Sequence, residues 1–116
     1  MKIGSGVVAA VLLLALPSHA QTQAEMNAQS GADYKKADAR LNETWKKAAK
    51  ALSADKGRFA KLKTAQKAWL TFRDAACEFE ASEVEGGTME PAVRVGCLTR
   101  LTEQRTKDLE AAAVSN

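Results

Sequence analysis

Two cysteines, Cys77 and Cys97, are the only ones in the chain, and their pairing constrains the fold more than any other feature. They flank the segment "EFEASEVEGGTMEPAVRVG", which carries Gly86-Gly87 at its middle. Their chemistry depends on where the chain resides, and the first twenty residues, "MKIGSGVVAAVLLLALPSHA", speak to that. Lys2 supplies a positive start, Val7 to Leu16 is apolar, Pro17 breaks the run, and Ser18-His19-Ala20 has the small-x-small pattern of a cleavage site. The run falls short of the roughly 20 apolar residues that span a bilayer. No cysteine follows the cleavage point, which argues against a lipid anchor. The expectation is a signal peptide over residues 1–20, removed after Ala20, and a periplasmic or secreted protein. In an oxidising compartment an even cysteine pair reads first as a disulfide. The rival, a reactive thiol, needs a lowered pKa and a basic neighbour. The nearest in sequence is Arg73, one turn before Cys77 and beside Asp74. The Cys77–Cys97 disulfide is therefore expected, and closing a loop of this length stabilises by about 3 kcal/mol in the chain-entropy model.

Cleavage would leave 96 residues, enough for one domain. It would also remove His19, the sole histidine. Without imidazole there is no Ser-His or Cys-His nucleophile and no histidine metal ligand. The acids at 78–90 lack the ligand order of an EF-hand. As glycosidase carboxylates they have no apolar surroundings to raise a pKa. No metal, no cofactor and no catalytic residue is expected: the chain reads as a non-enzyme.

Residues 21–32, "QTQAEMNAQSGA", show no sustained apolar period and read as a flexible tail. The helical domain is expected over 33–112. Its first segment, 33–52, starts at a capping Asp33 and places Tyr34, Ala37, Leu41, Trp45, Ala48 and Leu52 on one stripe. The second, 56–81, is capped by Asp55. Its stripe reads Phe59, Leu62, Ala65, Trp69, Phe72 and Ala76, continued by Phe79, all taken as core. Gly86-Gly87 turns the chain. Pro91 fits the first turn of a third helix over 91–112, with Cys97, Leu98, Leu101, Arg105 and Leu109 near one face. No segment alternates as a strand would. The fold class is all-α: a small antiparallel three-helix bundle with one disulfide joining helices two and three. One core consumes the three stripes, so a monomer is expected.

Charge is unevenly placed. Residues 34–67 hold eleven basic and three acidic residues, whereas 68–116 hold five basic and nine acidic. Two faces result. Lys46, Lys47, Lys50, Lys56, Arg58, Lys61 and Lys63 suit an anionic envelope polymer, glycan or lipid; nucleic acid does not fit an exported chain. Glu78, Glu80, Glu83, Glu85 and Glu90, with Gly86 and Gly87, form an acidic loop suited to a basic protein partner.

The combination "AQKAWLTFRDAACEFE", "GGT" and "CLTRLTEQRTKDL", with "LNETWKKAAKAL" upstream, resembles the LprI-like family, small exported bacterial proteins named for a lysozyme inhibitor. The resemblance covers about Leu41 to Leu109. Trp45 stands where the family usually shows tyrosine, and the lipobox cysteine of some members is missing. Motif positions fall on Trp69, Arg73, Asp74, Cys77, Gly86, Gly87, Cys97, Leu98, Leu101, Thr102 and Arg105. Most read as fold determinants, with Arg73, Asp74 and Arg105 a charged cluster between helices two and three. The resemblance implies an exported helical domain in a family where lysozyme inhibition is ascribed to its namesake. Joined to the stapled acidic loop, it gives the leading expectation of a periplasmic binding protein that inhibits by occlusion, the loop meeting a lysozyme or other cell-wall hydrolase. Two alternatives stand beside it: an envelope-associated structural or stress protein that binds glycan or lipid through the basic face, and an immunity protein against a cell-wall-degrading toxin.

Overall fold

A computed structural model describes residues 4, 6–10 and 22–114. The cleavage site after Ala20 and most of the expected signal peptide lie outside them. Three α-helices follow in order: α1 (Gln23–Ala51), α2 (Lys56–Ala81) and α3 (Glu90–Val114), with a single 3-10 turn at Ser82–Val84 between the last two. No strand occurs among the described residues.

α1 starts at Gln23, not at Asp33, which corrects the reading of 21–32 as a tail. Thr22 is the true cap: its side chain accepts the Glu25 N–H at 3.1 Å. Glu25 in the first turn suits the positive end of the helix dipole. Gln23 donates to Asn27, and Gln29 to Asp33, each four residues on. The segment is helical through polar i,i+4 pairs, to which an apolar-period criterion is blind. α2 begins as expected, with Asp55 accepting the Arg58 N–H at 3.0 Å.

Contacts define how the helices meet. On α2 and α3, Cys77 bonds Cys97, Arg73 reaches Thr102 and Gln66 meets Arg105, so numbers fall on one helix as they rise on the other. Between α1 and α3, shallow clefts are lined jointly by Ser30 and Gly96, then by Ala37 and Thr106; here numbers rise together. Small residues allow that close approach: Ala37, Thr44 and Ala48 on α1, and Thr102 and Thr106 on α3, are all buried. Leu41, Leu52 and Leu109 are the buried aliphatics, each contributing about 1.5–3 kcal/mol on burial. Bulkier groups fill the α1–α2 side, where the Trp45 and Phe59 rings lie 6.1 Å apart.

The expected core face of α2 is corrected. Phe72 is 61% exposed and Phe79 75% exposed, and Ala65 is exposed as well. The residues buried on α2 are Arg73, Cys77 and Ala81. The apolar stripe read from Phe59 to Phe79 spans twenty residues, about 5.6 turns at 3.6 residues per turn. Its first and last members therefore point to nearly opposite sides. Only Phe59, Leu62, Trp69 and Ala76 are part-buried.

Candidate functional site

Five of the family-motif residues, Trp69, Arg73, Asp74, Thr102 and Arg105, converge on one stack. Arg73, 8% exposed, lies with its guanidinium 5.3 Å from the Trp69 ring centroid and 5.8 Å from that of Tyr34. Arg105 covers Trp69 as well, at 5.8 Å. Arginine suits such sites because its planar, weakly hydrated head stacks on aromatic faces while its edges donate hydrogen bonds. Arg73 Nε donates to Asp74 Oδ1 at 3.0 Å and Nη1 to Thr102 Oγ1 at 3.4 Å. Arg105 Nε donates to Gln66 Oε1 at 2.8 Å. Thr102 is fully buried and its carbonyl accepts the Thr106 hydroxyl. Leu98 and Leu101 sit half-buried on the same helix. Of the expected cluster of Arg73, Asp74 and Arg105, only Asp74 is largely exposed. The stack joins α2 to α3 from buried positions, Arg73 and Thr102 both lying in the core. Its two members that sequence reasoning missed, Tyr34 and Gln66, carry no charge and so gave no signal as partners.

The acidic segment has a different character. Gly86 has a φ of +78°, open to glycine and costly for a residue with a Cβ. Its N–H donates to Glu90 Oε2 at 2.9 Å. A Cβ on Gly87 would come to 3.1 Å from the Val84 carbonyl oxygen, whose hydrogen bond from Gly87 N–H closes the turn. Arg94 grips both sides of this turn. Its Nε and Nη2 donate to the two carboxylate oxygens of Glu78, at 2.6 and 3.3 Å, and Nη2 also reaches Glu90 at 2.8 Å. Such a fork fixes geometry as well as charge. Arg100 pairs with Glu80 at 2.8 Å. Glu78, Glu80 and Glu90 are thus held from inside the molecule, while Glu83 and Glu85 stand exposed at the tip. Sequence reasoning counted five acids and overlooked their arginines. The i,i+4 spacing of Glu90 and Arg94 was a usable signal.

Glu90 is held below its ordinary value of 4.5, first by the Gly86 N–H and then by Arg94. Arg94 is held charged more firmly than usual, by Glu78 first and Glu90 second. Because the folded pKa of Glu90 is lowered, its share of stability is present above 4.5 and is lost as pH falls through the folded value. In an acid titration followed by NMR, the Gly86 amide is expected to report a midpoint below 4.5. A midpoint at or above 4.5 would sink this account of the loop.

The basic face lies on the other side. Lys46 pairs with Glu43 and Lys63 sits over the Phe59 ring. An open groove of about 430 Å³ there is lined by Trp45, Ala60, Lys63, Thr64, Gln66 and Lys67. Among the described residues no cluster of His, Cys, Asp and Glu could hold a metal ion, and no described helix is long and apolar enough to cross a membrane.

The model of the family described as lysozyme inhibitor LprI matches residues 16–109. This chain belongs to the LprI family. The family's description is that of an inhibitor, so the LprI match places the chain at a lysozyme-inhibitor-like role at family level. An uncharacterised protein of Rhizobium meliloti (strain 1021) is 34% identical over 131 aligned positions, covering 95% of this chain and 94% of the relative. No solved structure matches.

Proposed function

We propose that this protein is an exported, periplasmic binding protein that inhibits a lysozyme or related cell-wall hydrolase by occlusion, without chemistry of its own. The proposal includes removal of residues 1–20 and a small helical bundle, α1 to α3, in which α2 runs antiparallel to α3. The observation that carries it is the preorganised acidic turn. Glu83 and Glu85 project from a segment fixed at its base by the Cys77–Cys97 bond and across its width by Arg94. A turn that is already ordered loses little entropy on binding. Many lysozymes are basic, so an exposed pair of carboxylates favours encounter.

Titration of the oxidised protein against a panel of lysozymes, following binding heat and cell-wall lysis, is expected to show stoichiometric binding with loss of lysis. Glu83→Lys with Glu85→Lys is expected to slow association by roughly tenfold at low salt and to flatten its salt dependence. Unchanged kinetics would remove the turn from the mechanism.

A second reading rests on the Trp45 groove. An aromatic wall beside Lys63 and Lys67 suits an anionic cell-wall glycan, and salt-sensitive retention on peptidoglycan without lysozyme binding would favour it. An immunity protein against a cell-wall-degrading toxin would use the acidic turn in the same way as an inhibitor.

A further inference from the structure

The outer face of α2 carries an apolar stripe that no other described residue buries. Ala65, Ala68, Phe72, Ala75 and Phe79 are all exposed. Their spacing alternates three and four residues over two heptads, the repeat of a coiled-coil seam. The two phenylalanines are the largest apolar side chains left in water on this helix, at 61% and 75% exposure. Isolated exposed apolar residues are ordinary; a continuous seam rimmed by polar groups marks a contact surface.

We propose that this seam pairs with the same seam of a second copy of the chain, antiparallel and two-fold symmetric. Two complementarities point to self-pairing. The first is of size. If Phe72 lies opposite Ala75 of the second copy, the same register puts Phe79 opposite Ala68, so every ring meets a methyl group and knobs find holes. The second is of charge. α2 is basic in its first half, with Lys56, Lys61, Lys63 and Lys67, and acidic towards its end, with Asp74, Glu78 and Glu80. In that register an antiparallel partner brings Lys67 level with Glu80 and within a turn of Glu78 of the second copy, and Lys61 within a turn of Glu83. Glu78 and Glu80 remain 63% and 39% exposed in their side chains despite their internal partners. A parallel pair would instead set like charges together. The expectation of a monomer rested on all apolar stripes being consumed by one core, and on α2 they are not.

Sedimentation of the oxidised protein between about 1 µM and 1 mM, the range in which a short interface dissociates, tests this directly. A concentration-dependent dimer is expected, weakened by added salt. Phe72→Glu with Phe79→Glu is expected to leave a monomer throughout, with helical circular dichroism unchanged because both side chains are already in water. Lys61→Glu with Lys67→Glu is expected to weaken the dimer, and adding Glu80→Lys to restore it in part. A wild-type monomer across the range would overturn the proposal. A dimer that survives Phe72→Glu would also overturn it. So would a monomer whose binding to a hydrolase is lost on Phe72→Glu, which would assign the seam to that enzyme. None of these outcomes depends on whether the acidic turn inhibits lysozyme.

Discussion

Replacing Cys77 and Cys97 together by serine is expected to lower stability by about 3 kcal/mol, read as a fall in the denaturant midpoint. The number is large for this fold because the core is poor in large side chains. The bulkiest fully buried residues are Leu109, Thr102 and the two cysteines themselves. A domain of this size holds a total of about 5–15 kcal/mol, and small scaffolds with thin cores depend on such staples. The loss has a local side too. The bond sits close to the turn that joins α2 and α3, with a Cα–Cα separation of 5.4 Å, and without it that turn is held chiefly by the Arg94 fork, whose Glu78 partner is largely exposed. The turn at 83–87 is therefore expected to loosen before the rest, visible as faster amide exchange at Gly86 and Gly87 on reduction. Reduction that leaves both the midpoint and these amides unchanged would contradict the structural role of the bond.

Much of this was legible in the sequence, and the failures share a cause. Helix count, the Asp55 cap, the break at 53–55 and the disulfide follow from local chemistry: a capping side chain, a spacing, an even cysteine pair. The core face of α2 does not. Scoring apolar residues as inside selected Phe72 and Phe79, which the fold leaves in water because α3 draws α2 in by the side that bears Cys77. Arg73 was legible as part of a cluster between the second and third helices but not as a core residue, because a guanidinium between two aromatic faces packs well. The early start of α1 was hidden for a related reason: residues 23–33 hold their helix through polar side-chain pairs. The acidic turn was legible as charge but not as structure, since the arginines that grip it lie on another helix, at Arg94 and Arg100. Family motif residues were legible as a set, yet their common centre, Trp69, became visible only once Tyr34 and Arg105 were seen on its neighbours' faces.

That centre supports the second large effect. Arg73→Ala is expected to cost about 2–4 kcal/mol, near the upper range for single substitutions. The loss combines several parts: the burial of the aliphatic stem, two cation–π contacts of about 0.5–2 kcal/mol each, and the hydrogen bond to the buried Thr102 hydroxyl. The ion pair with Asp74 adds little, since that carboxylate is 64% exposed and water takes over its partner's role. Two further substitutions separate these contributions. Arg73→Met keeps the stem and discards the charge, so a cost of about 1 kcal/mol or less would make packing the main term, as buried charge replaced by apolar volume is often nearly neutral. Arg73→Lys keeps the charge but loses the planar face and the fork, and is expected to be worse than Met. If Lys instead restores full stability while Met is as damaging as Ala, the stack works by charge alone, and Trp69 and Tyr34 are spacers. Thermal melts of the three variants, with Asp74→Asn as the control expected to stay within about 0.5 kcal/mol of wild type, decide between the two.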